Sequence, residues 1–227
     1  MPLDAFSEFD PYAGRRPPDS LRGWLLVATP GLGDPNFART VLLVLDHGSF
    51  GAMGVVLNRP GGIAVEEFLP RWHAAAVPPA ELFTGGPVAR NAVIGLVRLQ
   101  PGVAGAPGSG TDPDTDLAGA GAGAGAGAPE GWRLLIEGER PVGTVDLGTD
   151  PAPLGPSIAG ARLFSGYAGW ETGQLEGEIA EGSWYAVPAE ERDPMSADPE
   201  GLWSRVLRRQ GGALALVAGF PDDVAAN

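Results

Sequence analysis

The sequence predicts an α+β fold, built on a mixed, mainly antiparallel, barrel-like sheet with flanking helices. Three observations lead to this prediction. Short apolar runs of strand length recur along the chain, glycine and proline turns separate most of them, and the helical segments are few and dispersed. A doubly wound fold would instead need helices that alternate regularly with strands. The 227 residues are enough for one large domain.

The first strand candidates lie near the N-terminus. The apolar runs LRGWLLVA from Leu21, TVLLVLDH from Thr40 and AMGVVLN from Ala52 are short and contain β-branched residues, which favours strands over helices. Pro30-Gly31 is a turn dipeptide, because proline fixes φ and glycine accepts a positive φ. We expect a meander of two or three strands here.

Later segments repeat this pattern and add helices. The further strand candidates are AVIGLVRL from Ala92, WRLLIE from Trp132, VGTVDL from Val142, ARLFSGYAGW from Ala161 and SWYAVPA from Ser183. Apolar residues at helical spacing predict a helix that carries Val65, Phe68, Leu69 and Trp72. A second helix is predicted from Gln174 to Glu181. A third begins at Asp198, with Asp198 as its N-cap and Pro199 at its first position, and Gly211-Gly212 ends it.

Two segments fall outside this pattern. Residues 1–20 contain acidic residues, prolines and aromatic residues with no period of 2 or 3.6, which predicts a disordered N-terminal arm. Residues 102–129 are of low complexity and include an alternating Gly/Ala tract. Such a tract buries little surface against the entropy it would lose, so we expect a flexible insertion between two strands. Apart from it, residues 21–227 are expected to form one domain.

Composition excludes several classes of function. All 15 basic residues are arginine and 28 residues are acidic, which gives a net charge of −13 that opposes binding to nucleic acid. No cysteine is present, so disulfides, thiolate zinc sites and cysteine nucleophiles are excluded. Neither a signal peptide nor an apolar run long enough to span a membrane is found, which predicts a cytoplasmic protein without membrane contact.

The sequence contains no complete motif for binding a dinucleotide or a metal ion or for a serine nucleophile. Gly31-Leu-Gly33 begins like a dinucleotide fingerprint, but the third glycine is missing and Pro35 falls where a helix should start. The two histidines, His47 and His73, do not show metal-ligand spacing, and no serine lies in a G-x-S-x-G motif. His47 is interpreted as a structural or solvent-facing residue. No cofactor and no metal site is predicted.

Charged residues form two small groups. Helical spacing places Glu176 and Glu178 on different faces, so these residues and Glu181 are interpreted as a solvated surface. Near the end of the last predicted helix stands a short basic stripe, which consists of Arg205, Arg208 and Arg209. Cations at this position complement the helix dipole, and three arginines are a weak signal for nucleic-acid binding.

A set of polar and aromatic residues flanked by glycines provides the candidates for a ligand or partner surface. They are Asp34, Asn58, Arg59, Gly85, Gly86, Trp170, Gln174 and Glu176. Structural needs account for much of this set, since tight turns need glycine and half-buried tryptophan fills a core. Trp170 in particular is predicted to be a largely buried anchor whose indole N–H reaches an acceptor. No catalytic residue is predicted.

The same residues carry a family resemblance. The motifs ATPGLGDPNFARTVLLVLDH, GAMGVVLNRP, GGPV and GYAGWETGQLEGEIAEGSW resemble the YqgE/AlgH family of bacterial proteins, over nearly all of residues 21–226 apart from the insertion. The resemblance implies an α+β architecture round a mixed, barrel-like sheet with flanking helices. It implies little about function, because the family, some of whose members are labelled regulators, has no agreed catalytic or DNA-binding residues.

The sequence therefore favours a non-catalytic protein that acts through contacts with an unidentified protein or small molecule, with regulation as one form of that role. Two alternatives stay open. One is a transcriptional regulator that touches DNA directly, which the net charge opposes. The other is an enzyme whose site is built from Asp34, Asn58, Arg59 and the Gly85-Gly86 loop.

Overall fold

The computed structural model describes residues 11–103 and 131–220. Within them, ten strands join into one sheet. In chain order the strands are β1 (Trp24–Ala28), β2 (Val41–Gly48), β3 (Gly51–Val56), β4 (Pro60–Ala64), β5 (Glu81–Thr84), β6 (Val88–Leu99), β7 (Arg133–Ile136), β8 (Val142–Val145), β9 (Ile158–Trp170) and β10 (Trp184–Pro188). Most of the predicted insertion lies outside the described residues.

Short helices lie between and after the strands. They are α1 (Val65–Phe68), α2 (Gln174–Ala180), α3 (Leu202–Gln210) and α4 (Gly212–Val217), with 3₁₀ helices at Pro70–Ala75 and Ala152–Ser157. In the part of the chain that the structure describes, no helix has the length and apolar character needed to cross a membrane.

The sheet is mainly antiparallel and strongly curled. Its strand order is β10-β1-β2-β3-β9-β6-β8-β7, and every neighbouring pair in this order is antiparallel. β5 adds a parallel pair with β9 and carries β4 on its other side. Gly23, beside β1, approaches β7 so closely that a Cβ on it would lie 2.2 Å from the Leu135 carbonyl oxygen. The predicted mixed, mainly antiparallel, barrel-like sheet with flanking helices is therefore confirmed.

The curled sheet has an inner core and two outer cores. Because successive side chains of a strand face opposite sides, Leu25 and Val27 of β1 lie in the inner core while Leu26 lies in an outer one. Helices α3 and α4 complete the inner core. Helix α2 covers the outer core beside β1 to β3, and Trp72 of the first 3₁₀ helix belongs to the other.

The predicted helix from Val65 to Trp72 is interrupted at Pro70. Proline has no N–H to continue an α-helix, so α1 ends after one turn and a 3₁₀ helix begins at Pro70. Val65 and Trp72 are buried, as their place in the predicted stripe requires. Phe68 departs from the prediction and is 46% exposed, because the broken helix no longer keeps it on the buried face.

The third predicted helix begins later than expected. Asp198 Oδ1 accepts a hydrogen bond from the Gly201 N–H (3.1 Å), so this residue caps a turn and α3 begins only at Leu202. The buried face of α3 consists of Leu202, Trp203, Val206 and Leu207. Gly211, at φ 75°, ends α3 as predicted, but α4, which the sequence did not predict, follows at once.

Residues 11–20 depart from the prediction of a disordered arm. The Pro11 carbonyl accepts a hydrogen bond from the Ala186 N–H (2.9 Å) and so covers the free edge of β10. Tyr12 packs against the outer core beside α2, and Ser20 Oγ donates to the His47 carbonyl (2.9 Å). The partners of this segment belong to distant parts of the chain, and a local periodicity search cannot find them.

Candidate functional site

Asn58 joins the end of β3 to the loop before β2. Its Oδ1 accepts a hydrogen bond from the Val41 N–H (2.9 Å), and its Nδ2 donates to the Arg39 carbonyl (2.9 Å). Arg39 has a φ of 58°, which is uncommon for a residue with a side chain. The Asn58 amide thus holds the backbone on both sides of Thr40, with one hydrogen bond at its oxygen and one at its nitrogen.

Asp34 and Arg59 hold the same loop. The Arg59 guanidinium donates to the carbonyls of Pro35 (3.0 Å) and Ala38 (3.1 Å). Asp34 Oδ1 accepts the Asn36 N–H (2.8 Å), which is the arrangement of an Asx turn. The structure therefore brings Asp34, Asn58 and Arg59 together at one loop, where all three bond to its backbone.

Gly85 and Gly86 lie where β5 meets β9. The Gly85 N–H donates to the Ser165 carbonyl (2.8 Å), and the Gly85 carbonyl accepts the Val56 N–H (2.9 Å). A Cβ on Gly85 would lie 2.3 Å from the Gly166 carbonyl oxygen, and one on Gly86, at φ 158°, would lie 2.2 Å from the Tyr167 carbonyl carbon. Close approach of backbones thus requires glycine at both positions.

Trp170 and Trp184 share one carboxylate. The Nε1–H of Trp170 donates to Glu178 Oε2 (2.9 Å), and that of Trp184 donates to the same oxygen (2.8 Å). The two rings are 6.2 Å apart in an edge-to-face arrangement, and Trp170 is 7% exposed. Trp170, Glu178 and Trp184 are called the indole–carboxylate cluster below. The prediction that Trp170 is a buried anchor with a satisfied indole N–H is confirmed.

Gln174 extends the indole–carboxylate cluster. Its Nε2 donates to Glu178 Oε1 (2.9 Å), and its Oε1 accepts the Glu171 N–H (3.0 Å). Both oxygens of Glu178 are therefore in use, and the interpretation of Glu178 as part of a solvated surface is wrong. Phe37 of the loop held by Arg59 contacts the Trp184 ring edge-to-face at 5.7 Å, so the loop and the cluster form one continuous region.

Glu176 binds His47 across the fold. Its Oε1 lies 2.9 Å from His47 Nε2, while His47 Nδ1 accepts the Leu21 N–H (3.0 Å). A backbone N–H can only donate, so Nδ1 carries no proton and Nε2 carries it. With both ring nitrogens bonded, His47 has none free to act as a general base, and its role in this structure is structural.

Phe50 lies at the tip of the β2-β3 turn, next to the family motif at residues 166–184. Its side chain is 82% exposed. The tip is fastened from both sides, since Thr172 Oγ1 donates to the Ser49 carbonyl (3.0 Å) and a Cβ on Gly51 would lie 2.1 Å from the Trp170 carbonyl oxygen. Sequence reasoning missed this residue, because an apolar residue in a turn carries no periodic signal.

The basic stripe on α3 is largely neutralised within the chain. Arg209 makes two hydrogen bonds to the carboxylate of Asp193 (2.5 and 2.7 Å). Arg205 Nη1 lies 2.9 Å from Asp198 Oδ2, and the Gly201 N–H and Arg205 together hold the pKa of Asp198 below its ordinary value. Of the three, only Arg208 has no polar partner among the described residues.

No set of three or more histidine, aspartate or glutamate side chains within residues 11–103 and 131–220 is placed to hold a metal ion. Two orphaned indole donors, the Nε1–H groups of Trp72 and Trp132, lie buried in the outer core away from the candidate residues. Both are donors, and neither offers a lone pair to a cation.

Comparison with known proteins agrees with the fold and with the motifs. The AlgH-like family model matches residues 25–215. A UPF0301 protein of Streptomyces coelicolor is 44% identical over 208 residues, which cover 92% of this chain and 96% of that protein. A crystal structure of a Corynebacterium diphtheriae protein has a TM-score of 0.75 at 30% identity and covers 92% of this chain and 96% of its own. The solution structure of AlgH from Pseudomonas aeruginosa has a TM-score of 0.55 at 29% identity, covering 91% and 97%. The resemblance seen in the sequence is confirmed, and the chain belongs to the AlgH-like family.

Proposed function

We propose that the protein is a cytoplasmic, non-catalytic binding protein, and that it contacts a protein partner through Phe50 and the exposed residues beside it. This Phe50 surface comprises Phe50 and the loop Glu171, Thr172 and Gly173, all of which are exposed. The observation that carries the proposal is an apolar side chain that is 82% exposed on a tip bonded to the family motif at residues 166–184.

An anchor of this kind suits a protein interface. A large apolar side chain at the centre of a polar rim is the usual arrangement of an interface hot spot. Here the backbone is already held by Thr172 and by the close contact of Gly51 with Trp170, so little conformational entropy is lost on binding. The indole–carboxylate cluster then acts as the support that keeps the Phe50 surface in place.

The catalytic alternative has less support. The side chains of Asp34, Asn58 and Arg59 are bonded to the backbone of their own loop, and Gly85 lies apart, against β9. A general acid or base must reach a substrate proton, and these groups already have partners. The DNA-binding alternative is opposed by the ion pairs of Arg205 and Arg209.

Affinity capture from a lysate of a producing organism tests the proposal. The tagged wild type is compared with Phe50→Ser and with the matched control Leu216→Ser, since Leu216 is also 82% exposed but lies on α4. We expect at least one protein that is retained by the wild type and by Leu216→Ser and lost from Phe50→Ser, as mass spectrometry would show. An identical set of proteins on all three, or a retained metabolite in place of a protein, would contradict the Phe50 surface.

A further inference from the structure

Arg98 and Arg140 lie near each other where the turn before β8 meets the end of β6, since the Leu99 N–H donates to the Pro141 carbonyl (3.0 Å). Arg98 lies on β6, opposite Val142 of β8 and Gly160 of β9. Leu96, two residues before Arg98, and Val142 both belong to the inner core, so the strand alternation turns Arg98 towards the same side. Arg140 stands two residues before β8.

Among the described residues, neither guanidinium has a hydrogen-bond or ion-pair partner. Nε of Arg98 is buried without an acceptor, and no described residue accepts a hydrogen bond from the guanidinium of Arg98 or of Arg140 or forms an ion pair with either. The neighbouring Arg162 shows the contrast. It is 2% exposed, and its Nη1 and Nη2 donate to the carbonyls of Ser196 (2.8 Å) and Pro78 (2.7 Å). The fold satisfies the buried guanidinium of Arg162, whereas Arg98 still needs an acceptor.

Charge at this site is unbalanced. Burial lowers the pKa of Arg98, the nearby Arg140 lowers it further, and Glu191 is the carboxylate that opposes these effects. Glu191 Oε2 accepts the backbone N–H of Arg140 (2.5 Å), so it is already held by the main chain. At Arg98 the repulsion from Arg140 therefore exceeds the attraction of Glu191, in a chain whose net charge is −13.

We propose that Arg98 and Arg140 together bind the oxyanion of a small ligand, either a phosphate or a carboxylate group. Guanidinium groups present parallel N–H donors that match both oxyanions, and an acceptor at this point would satisfy the orphaned Nε–H of Arg98 and offset the excess positive charge. The site lies at the end of β6 and in the turn before β8, apart from the Phe50 surface, and does not depend on the function proposed for that surface.

Titrations of the full chain with inorganic phosphate and with succinate test this site and distinguish the two ligand groups. Binding is read from the Arg98 Nε–H resonance in ¹H–¹⁵N spectra and from calorimetry, with sodium chloride at equal ionic strength as the reference. We expect saturable binding of at least one oxyanion. Arg98→Met and Arg140→Met should each weaken it about tenfold or more, the loss expected for charge-assisted hydrogen bonds.

Two further variants keep the outcome decisive. Arg208→Met removes another partnerless arginine, on α3, and should leave binding unchanged. Glu191→Gln removes the competing carboxylate and should tighten binding. Because Arg140 and Glu191 are accessible to solvent, Arg140→Met and Glu191→Gln are expected to fold even if Arg98→Met does not. Shifts that match those in sodium chloride, equal losses in Arg208→Met, or no tightening in Glu191→Gln would overturn the proposal.

Discussion

At the scale of single residues, polar side chains of the motif at residues 166–184 bond to the backbone and to each other. Glu178 is the clearest case, because its carboxylate accepts hydrogen bonds from two indoles and an amide. In the sequence it appears only as an acidic residue of a short helix. Its role depends on β9 and β10, which bring Trp170 and Trp184 within hydrogen-bond distance of Glu178, and this is a tertiary contact.

We expect Glu178→Ala to lower the free energy of unfolding by about 1–3 kcal/mol, because two largely buried indole donors lose their acceptor. Glu178→Gln should cost less, since its amide oxygen still accepts a hydrogen bond. Urea denaturation measures both. Glu181→Ala, an exposed neighbour at the end of α2, serves as the control and should leave the midpoint unchanged. Equal midpoints for Glu178→Ala and Glu181→Ala would show that the shared carboxylate contributes nothing.

Arg162 is a second residue whose role the sequence did not reveal. Burial lowers its pKa to about 10, so it remains charged at neutral pH inside the fold. Its guanidinium is held by the carbonyls of Ser196 and Pro78 and lies 4.3 Å from the centre of the Phe83 ring. A cation can be buried there because backbone oxygens and an aromatic face replace its water. Arginine in a strand reads as a surface residue until these partners are known.

At the scale of elements, apolar runs predicted eight of the ten strands that the structure describes. β1, β2, β3, β6, β7, β8, β9 and β10 all lie on runs recognised in the sequence. β4 was not predicted, because Pro60–Ala64 reads PGGIA and is mostly exposed, and its strand geometry depends on pairing with β5. The parallel pairing of β5 with β9 is likewise a long-range contact that no local pattern contains.

The segment before β1 provides a test at the element scale. Removing residues 1–12 takes away the Pro11 carbonyl, so the Ala186 amide should exchange with deuterium markedly faster. The Leu21 amide, which donates to His47 Nδ1, keeps its acceptor in the shortened chain and should stay protected. Hydrogen exchange followed by NMR measures both amides. Unchanged protection at Ala186 would mean that Pro11 does not cover the edge of β10.

The low-complexity insertion is predicted to be dispensable for folding, since its Gly/Ala tract has little to bury. Val103 is kept in the shortened chain, because it is half-buried and packs against an outer core. Replacing residues 104–129 by a short Gly/Ser turn should therefore leave the melting temperature within a few degrees. Loss of a single cooperative transition in calorimetry would show that the insertion contributes to the fold.

At the scale of the whole molecule, charge argues against DNA as a partner. A net charge of −13 repels a polyanion, and two of the three arginines on α3 are paired with carboxylates. We expect no binding of duplex DNA at physiological salt in fluorescence anisotropy. A sub-micromolar affinity that falls steeply with salt and is abolished by substituting Arg205, Arg208 and Arg209 would contradict this expectation.

Some residues discussed above could be identified from the sequence, and others only from the assembled fold. Glycines at 85 and 86 and the buried Trp170 follow from sequence arguments about close approach and core filling. The exposed position of Phe50 and the unpaired Arg98 could not be predicted, because exposure and the absence of a partner are properties of the assembled fold. Both functional proposals rest on Phe50 and Arg98, whose surroundings only the assembled fold defines.

The central claim is that the motif at residues 166–184 stabilises the fold while the Phe50 surface contacts a protein partner. Urea denaturation of Trp170→Ala and Phe50→Ser, measured beside the wild type, tests it most directly. Truncating a buried tryptophan typically costs about 3–5 kcal/mol, a large part of the stability of a domain. We expect a loss of this size for Trp170→Ala, and a midpoint close to that of the wild type for Phe50→Ser. A Trp170→Ala protein of wild-type stability would contradict the claim and make the indole–carboxylate cluster itself a recognition surface.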